Sequence, residues 1–327
     1  MNSLKSLADL RPVTSGVDSV DVPVVIWRDG DTQNTSLRPG RMGLALARES
    51  APEYLASKYR DEQIFLTARS GNTLLAPLPA TAWEVASLQR RFGATTQPAE
   101  TLLGLKASEQ ALWERADNGR LASYRYIHLA THGRIDDLFP QRSAIVLTQV
   151  GLPDALVQVR NNRPVFDGQI SVSEIAANWT LRAELVTLSA CQTALGRQAA
   201  GEGYVGFTQA LLLAGADSVC LSLWDVDDTA TALLMDRFYA NLLGKRDGLT
   251  APLPKADALA EAQAWLREVT VAEATDRSAS LSKGVSRGVG HKTNVIRSTE
   301  TRPSDLDARP YDDPYYWAAF ILIGRTE

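Results

Sequence analysis

Apolar positions along this chain repeat with one period and then another, and each change marks an element. VPVVIW, followed by RDGDTQNTS and RPG, predicts a short strand among polar turns near the amino end. Residues 51–60 fit a helix, and IFLTA (64–68) and TLLAPL (73–78) read as short strands. PATAWEVASLQRRF (79–92) has helical spacing, Pro79 at its start and Gly93 just past its end. A second helix near 106–117 leads into the strand RYIHLA (125–130), which the turn THGRIDD closes.

The pattern then becomes regular. AIVLTQV (144–150) reads as a strand, and SVSEIAANW (171–179) opens with Ser171 and Glu174 in capping-box spacing. ELVTLSA (184–190) is a continuous apolar run of the kind buried on both faces of a parallel sheet. YVGFTQALLLAG (204–215) is a helix, SVCLSLW (218–224) a strand and DDTATALLMDRFYANLLG (227–244) a long helix. Strands and helices alternating at this interval predict an α/β three-layer sandwich with a mostly parallel central sheet. ADALAEAQAWLREV (256–269) adds one more helix, and YYWAAFILIG (315–324) closes the pattern as a strand. Between them, residues 270–311 are rich in Ser, Thr, Arg and Gly, and five basic residues but no acid occur from Arg277 to Arg297. That composition predicts a flexible insertion. The expected organisation is therefore a β-rich segment at 1–69, within or beside a main domain at 70–327 interrupted at 270–311.

Composition narrows the class. The 327 residues are 45% hydrophobic and 22% charged, with 34 Lys plus Arg against 38 Asp plus Glu, a net charge of −4. Mild acidity argues against nucleic acid as a direct partner. Two cysteines without a spaced framework point to a reducing compartment. No run approaches the roughly eighteen apolar residues of a membrane span, and MNSLKSLADLRPV lacks a signal core. A cytoplasmic protein with no membrane association is the expectation.

Candidate chemistry concentrates at two strand exits. His132 follows RYIHLA, and Cys191 follows ELVTLSA. An imidazole and a thiol delivered to the carboxyl edge of one sheet make a general base and a nucleophile. Gly133 offers a close backbone approach and an open N–H, and the N–H at Cys191 is a second oxyanion donor. His128 lies inside its strand and is expected to be packed or hydrogen-bonded in the core. Cys220, flanked by apolar residues, reads as an inert core thiol, and His291 falls in the basic segment.

Two other motifs need weighing. GEGYVG (201–206) matches G-x-G-x-x-G, but ten residues separate it from the preceding strand, where a phosphate-binding turn should follow at once. It reads instead as a loop bordering the site and feeding a helix. WDVDD (224–228) allows helix capping by Asp227 or Asp228, while Trp224 and Asp225 are placed to wall a substrate pocket that favours a basic side chain. No compact His, Cys and Asp spacing fits a metal, and the dyad needs no cofactor.

Several blocks together resemble the CHAT domain, a caspase-like module often fused to TPR repeats in bacteria. They are HLATHG (128–133), LVTLSACQTALG (185–196), GEGYVGFTQALLLAGADSV (201–219), LWDVDD (223–228) and PYYWAAFILIG (314–324), with PLPATAWEVASL (77–88) upstream. The resemblance implies a caspase-like cysteine endopeptidase with His132 as base, Cys191 as nucleophile, and the Gly133 and Cys191 N–H groups as oxyanion hole. It further implies a protein substrate and a TPR-type or other regulatory partner, in bacterial signalling or defence. Asp313 stands where a His is common in the family, and 270–311 is longer than its usual connection. The competing classes are a catalytically silent caspase-like interaction scaffold and, through GEGYVG, a nucleotide-binding enzyme.

Overall fold

A computed structural model describes residues 22–28, 31–37, 79–93, 99–136, 139–161, 163–192, 202–224, 227–282 and 306–327. The chain divides into two units, residues 1–75 with 149–167 and residues 76–148 with 168–327. In the first unit, β1 (Val22–Arg28) and β2 (Asp31–Leu37) pair antiparallel, with Arg28 opposite Asp31. Asp29 and Gly30 separate them in the sequence, the residue pair that favours a tight hairpin. A short helix at Ala155–Arg160 also belongs here, its first turn capped by the Asp154 side chain. The short strands and helix expected at 51–78 lie outside the described residues.

The second unit is built on a six-stranded sheet of order β5-β4-β3-β6-β7-β8. Its strands are β3 (Tyr126–Arg134), β4 (Ala144–Val146), β5 (Gln169–Ser171), β6 (Leu185–Gln192), β7 (Ser218–Ser222) and β8 (Phe320–Gly324). The central trio β3, β6 and β7 is parallel, as continuous apolar runs require. The flanking pairs β3–β4, β4–β5 and β7–β8 are antiparallel, so the sheet is mixed.

Helices cover both faces. On one face lie α1 (Pro79–Gly93), α5 (Asp228–Leu242), α6 (Lys255–Glu268) and α7 (Val271–Leu281). Their core includes Trp83, Leu233, Phe238 and Leu266, packed on Leu185 and Cys220 of the sheet. On the other lie α2 (Glu109–Asp117), α3 (Val172–Asn178) and α4 (Glu202–Ala214), with Ile175 and Leu211 packed on Ile145, Val186 and Val219. Each large apolar side chain fully withdrawn from water in these layers contributes roughly 1.5–3 kcal/mol. The capping box at α3 is present, Ser171 accepting from the Glu174 N–H and Glu174 from the Ser171 N–H.

Three expectations change. Strand β3 does not stop at Ala130 but continues to Arg134, because β4 pairs with His132–Arg134 on one side while β6 pairs on the other. Strand β6 likewise runs through Cys191 to Gln192. The segment 270–311 is not flexible throughout: α7 occupies 271–281, and its Val271, Ala274, Ser278 and Leu281 are buried at helical spacing. Thr270 caps it by accepting from the Glu273 N–H, and Tyr311 is buried in the same core. Residues 283–305, with His291, lie outside the described residues.

Candidate functional site

Side chains alternate across a strand, so the two cores sort the positions of β3 and β6 by face. Ile127, Leu129, Val186 and Leu188 pack toward α2, α3 and α4. Tyr126 and Leu185 pack toward α1, α5 and α6. His128 and Thr187 share that second face, and alternation places His132 on it as well. The register sets their level. His128 is the partner of Thr187, and four residues on His132 is the partner of Cys191. Backbones of adjacent strands run roughly 4.8 Å apart, so the two candidate residues occupy neighbouring positions near the carboxyl ends of their strands.

His128 is not part of that pair. Its Nε2 lies 2.7 Å from Glu84 Oε1 of α1, and its Nδ1 lies 3.2 Å from the Tyr239 hydroxyl of α5. The same hydroxyl lies 2.8 Å from Thr187 Oγ1. Glu84 and Tyr239 are buried, and the His128 ring meets Tyr239 edge-on. His128 is thus the hydrogen-bonded core histidine its position in the strand indicated.

Beyond His132 on the same face, Arg134 donates from Nε to Gln169 Oε1 at 2.9 Å and from Nη2 to the Arg142 carbonyl at 2.8 Å. These bonds tie the end of β3 across the short β4 to β5. Gly133 lies in this ladder, partnered with Ile145 on one side and Gln192 on the other. The open turn expected around it is therefore absent, and the reason is tertiary: β4 supplies pairing that the local THG sequence does not reveal.

Trp224 is half-buried, and its Nε1 donates to the Tyr315 carbonyl at 2.9 Å. That bond joins the end of β7 to α8 (Pro314–Trp317). Asp227 takes the capping role, its carboxylate accepting from the N–H groups of Thr229 and Ala230 at the start of α5. Asp225 lies outside the described residues. Cys220 is fully buried, and desolvation pushes its thiol up to about 12, so it is no competitor for Cys191.

In GEGYVG, helix α4 begins at Glu202, so Gly203 and Gly206 are helical rather than part of a loop. A side chain at Gly206 would meet the Pro140 carbonyl oxygen at 3.3 Å, so this glycine serves close packing. Among the described residues there is no group of three or more His, Cys, Asp or Glu that could hold a metal. Among them, too, no helix is long and apolar enough to cross a membrane.

Sequence reading missed Glu84, Thr187 and Tyr239 as members of a polar cluster. One signal was available: Glu84 interrupts the apolar face of α1 beside Trp83 and Leu88, where a carboxylate needs a partner.

Comparison with known proteins completes the assignment. A stretch of 79 residues, 24% of this chain, is 39% identical to tetratricopeptide repeat protein 28 of Mus musculus, and it spans 3% of that protein's length. The family model of the CHAT domain matches residues 9–325, so the match takes in both units of the chain. With a parallel β3–β6–β7 centre, helices on both faces and this near-complete match, the chain belongs to the CHAT domain family, a caspase-like peptidase-type domain.

Proposed function

We propose that the protein is a cysteine endopeptidase in which His132 and Cys191 form the catalytic dyad. The observation that carries this reading is the register pairing of the two residues on adjacent parallel strands. In the proposed reaction the His132 imidazole takes the proton of the Cys191 thiol. The thiolate attacks a peptide carbonyl carbon, and the N–H groups of Gly133 and Cys191 receive the developing oxyanion. For Gly133 this requires local opening of the three-pair β3–β4 ladder. His132 then protonates the leaving amine, and water, deprotonated by His132, hydrolyses the thioester.

Trp224 and Asp225 wall the pocket that receives the substrate side chain, and a carboxylate there favours a basic one. The substrate is a protein. A partner with TPR-type repeats gates access, a role supported by the likeness to a mouse protein named for such repeats. The setting we propose is the bacterial cytoplasm, in signalling or defence.

Pairing of Gly133 on both sides favours one alternative, a catalytically silent scaffold that uses the same fold for interaction. Iodoacetamide labelling across a pH series, with mass-spectrometric mapping, separates the two. The dyad predicts labelling of Cys191 with a midpoint well below the ordinary cysteine value of about 8.5, moved upward in His132→Ala. A midpoint near 8.5 that ignores His132 supports the scaffold.

A further inference from the structure

We infer that Glu84, His128, Tyr239 and Thr187 form a register key: positioning residues that set the level at which His132 and Cys191 meet. The inference rests on the dyad reading proposed above. The Tyr239 hydroxyl bonds both strands at once, His128 of β3 at 3.2 Å and Thr187 of β6 at 2.8 Å. Those two residues are themselves register partners, and each lies four residues before its dyad member along its strand.

One hydroxyl proton can serve only one neighbour. The arrangement closes when Thr187 donates to Tyr239, Tyr239 donates to His128 Nδ1, and His128 Nε2–H donates to Glu84 Oε1, 2.7 Å away. Every buried group in the chain Thr187–Tyr239–His128–Glu84 then has a partner.

Apolar packing alone does not define this register. A one-residue slip of β6 against β3 would flip every side chain to the wrong face, and the two cores forbid it. A two-residue slip keeps the faces and would bring Ser189, another small residue, opposite His132. A group that bonds specific atoms on both strands separates these arrangements directly, because misplacing it leaves buried polar atoms unpaired. Helix α1 joins the same device, since Glu84 reaches the sheet while Arg91, from the same helix, holds Asp236 of α5 through two bonds of 2.7 and 2.6 Å.

The test uses the full chain with Tyr239→Phe, Thr187→Val and His128→Gln, the last retaining a donor to Glu84. Iodoacetamide labelling of Cys191 across pH is measured beside the thermal midpoint, with Ser108→Ala, a cap removal on α2, as a stability control. The key predicts that Tyr239→Phe and Thr187→Val raise the labelling midpoint by about one pH unit toward that of His132→Ala. Adding His132→Ala to Tyr239→Phe should then change little. Ser108→Ala should lower the thermal midpoint and leave labelling alone. If the key variants lose stability without moving the labelling midpoint, the network is only structural and the inference is overturned. If labelling in the unmutated protein already ignores His132, the dyad reading itself fails and the key goes with it. Should Tyr239→Phe not fold, His128→Gln and Thr187→Val decide the matter by the same readout.

Discussion

Cys191 lies directly across from His132 on the neighbouring parallel strand, and Gln192 lies across from Gly133. This juxtaposition joins two residues 59 positions apart in the chain, a separation that the β3–β6 pairing closes completely. Its first consequence concerns reactivity. Peptidase activity on a protein substrate, once one is identified, should fall by at least about a hundredfold in either His132→Ala or Cys191→Ala, as loss of a general base or nucleophile does. A quenched-peptide library read by fluorescence would detect it. Residual cleavage equal to that of the unmutated protein would remove the dyad from consideration.

The two cysteines should behave oppositely. Cys220 sits on β7 with no exposed surface, and burial holds its thiol up to about 12. At pH 8 it should stay unmodified by iodoacetamide while the protein is folded, and label readily in concentrated urea. Native-state labelling of Cys220 at the rate of a free thiol would contradict the packing of the α1–α5 core.

Gly215 closes α4 at φ +111°. An added methyl there would land on the Leu181 carbonyl oxygen, and Leu181 N–H already donates to the Ala214 carbonyl at 2.6 Å. Gly215→Ala should therefore cost about 3 kcal/mol or more in urea unfolding, through backbone strain and displacement of this turn. Gly93→Ala, with open space around it, is the matched control.

Acid sensitivity has a local source at Glu100. A hydrogen bond from Arg115 at 2.5 Å, followed by one from Tyr124, holds its carboxyl down to about 2 from an ordinary 4.5. A depressed folded-state value means stability that is present above pH 4.5 and is lost as pH falls toward 2. In urea titrations, Glu100→Gln should be less stable than the unmutated chain at pH 7, and the gap should close across that window. A gap that stays constant with pH would assign the effect to packing instead.

At the start of α5, one Asp227 oxygen accepts from two N–H groups, each at 2.9 Å. Asp227→Ala should cost about 1 kcal/mol, with Asp227→Asn close to neutral. Both variants should retain Cys191 labelling, since this carboxylate is committed to the cap.

Which residues pack on which face was legible along the chain. The continuous run ELVTLSA identified a strand buried on both sides, and Ser171 with Glu174 marked a helix start. Thr270 and Glu273 carry the same cap spacing, and 271, 274, 278 and 281 the same periodicity, yet the Ser- and Arg-rich composition beyond them obscured α7. At the site, His132 and Cys191 stood out by residue type, and Cys220 and His128 were separable by their apolar surroundings. The turn expected around Gly133 gives way to strand because glycine after a polar pair favours a turn locally, whereas its pairing partners arrive from β4 and β6.

By itself the amino-acid order determined the layers, because hydrophobic period is a local property that each segment carries with it. It determined too that a thiol and an imidazole follow strong apolar runs. Only the tertiary structure decided where those strands end and which residues stand opposite one another. Strand ends depend on a pairing partner being present, and register depends on long-range bonds such as those Tyr239 makes to His128 and Thr187. Neither property belongs to any single stretch of sequence.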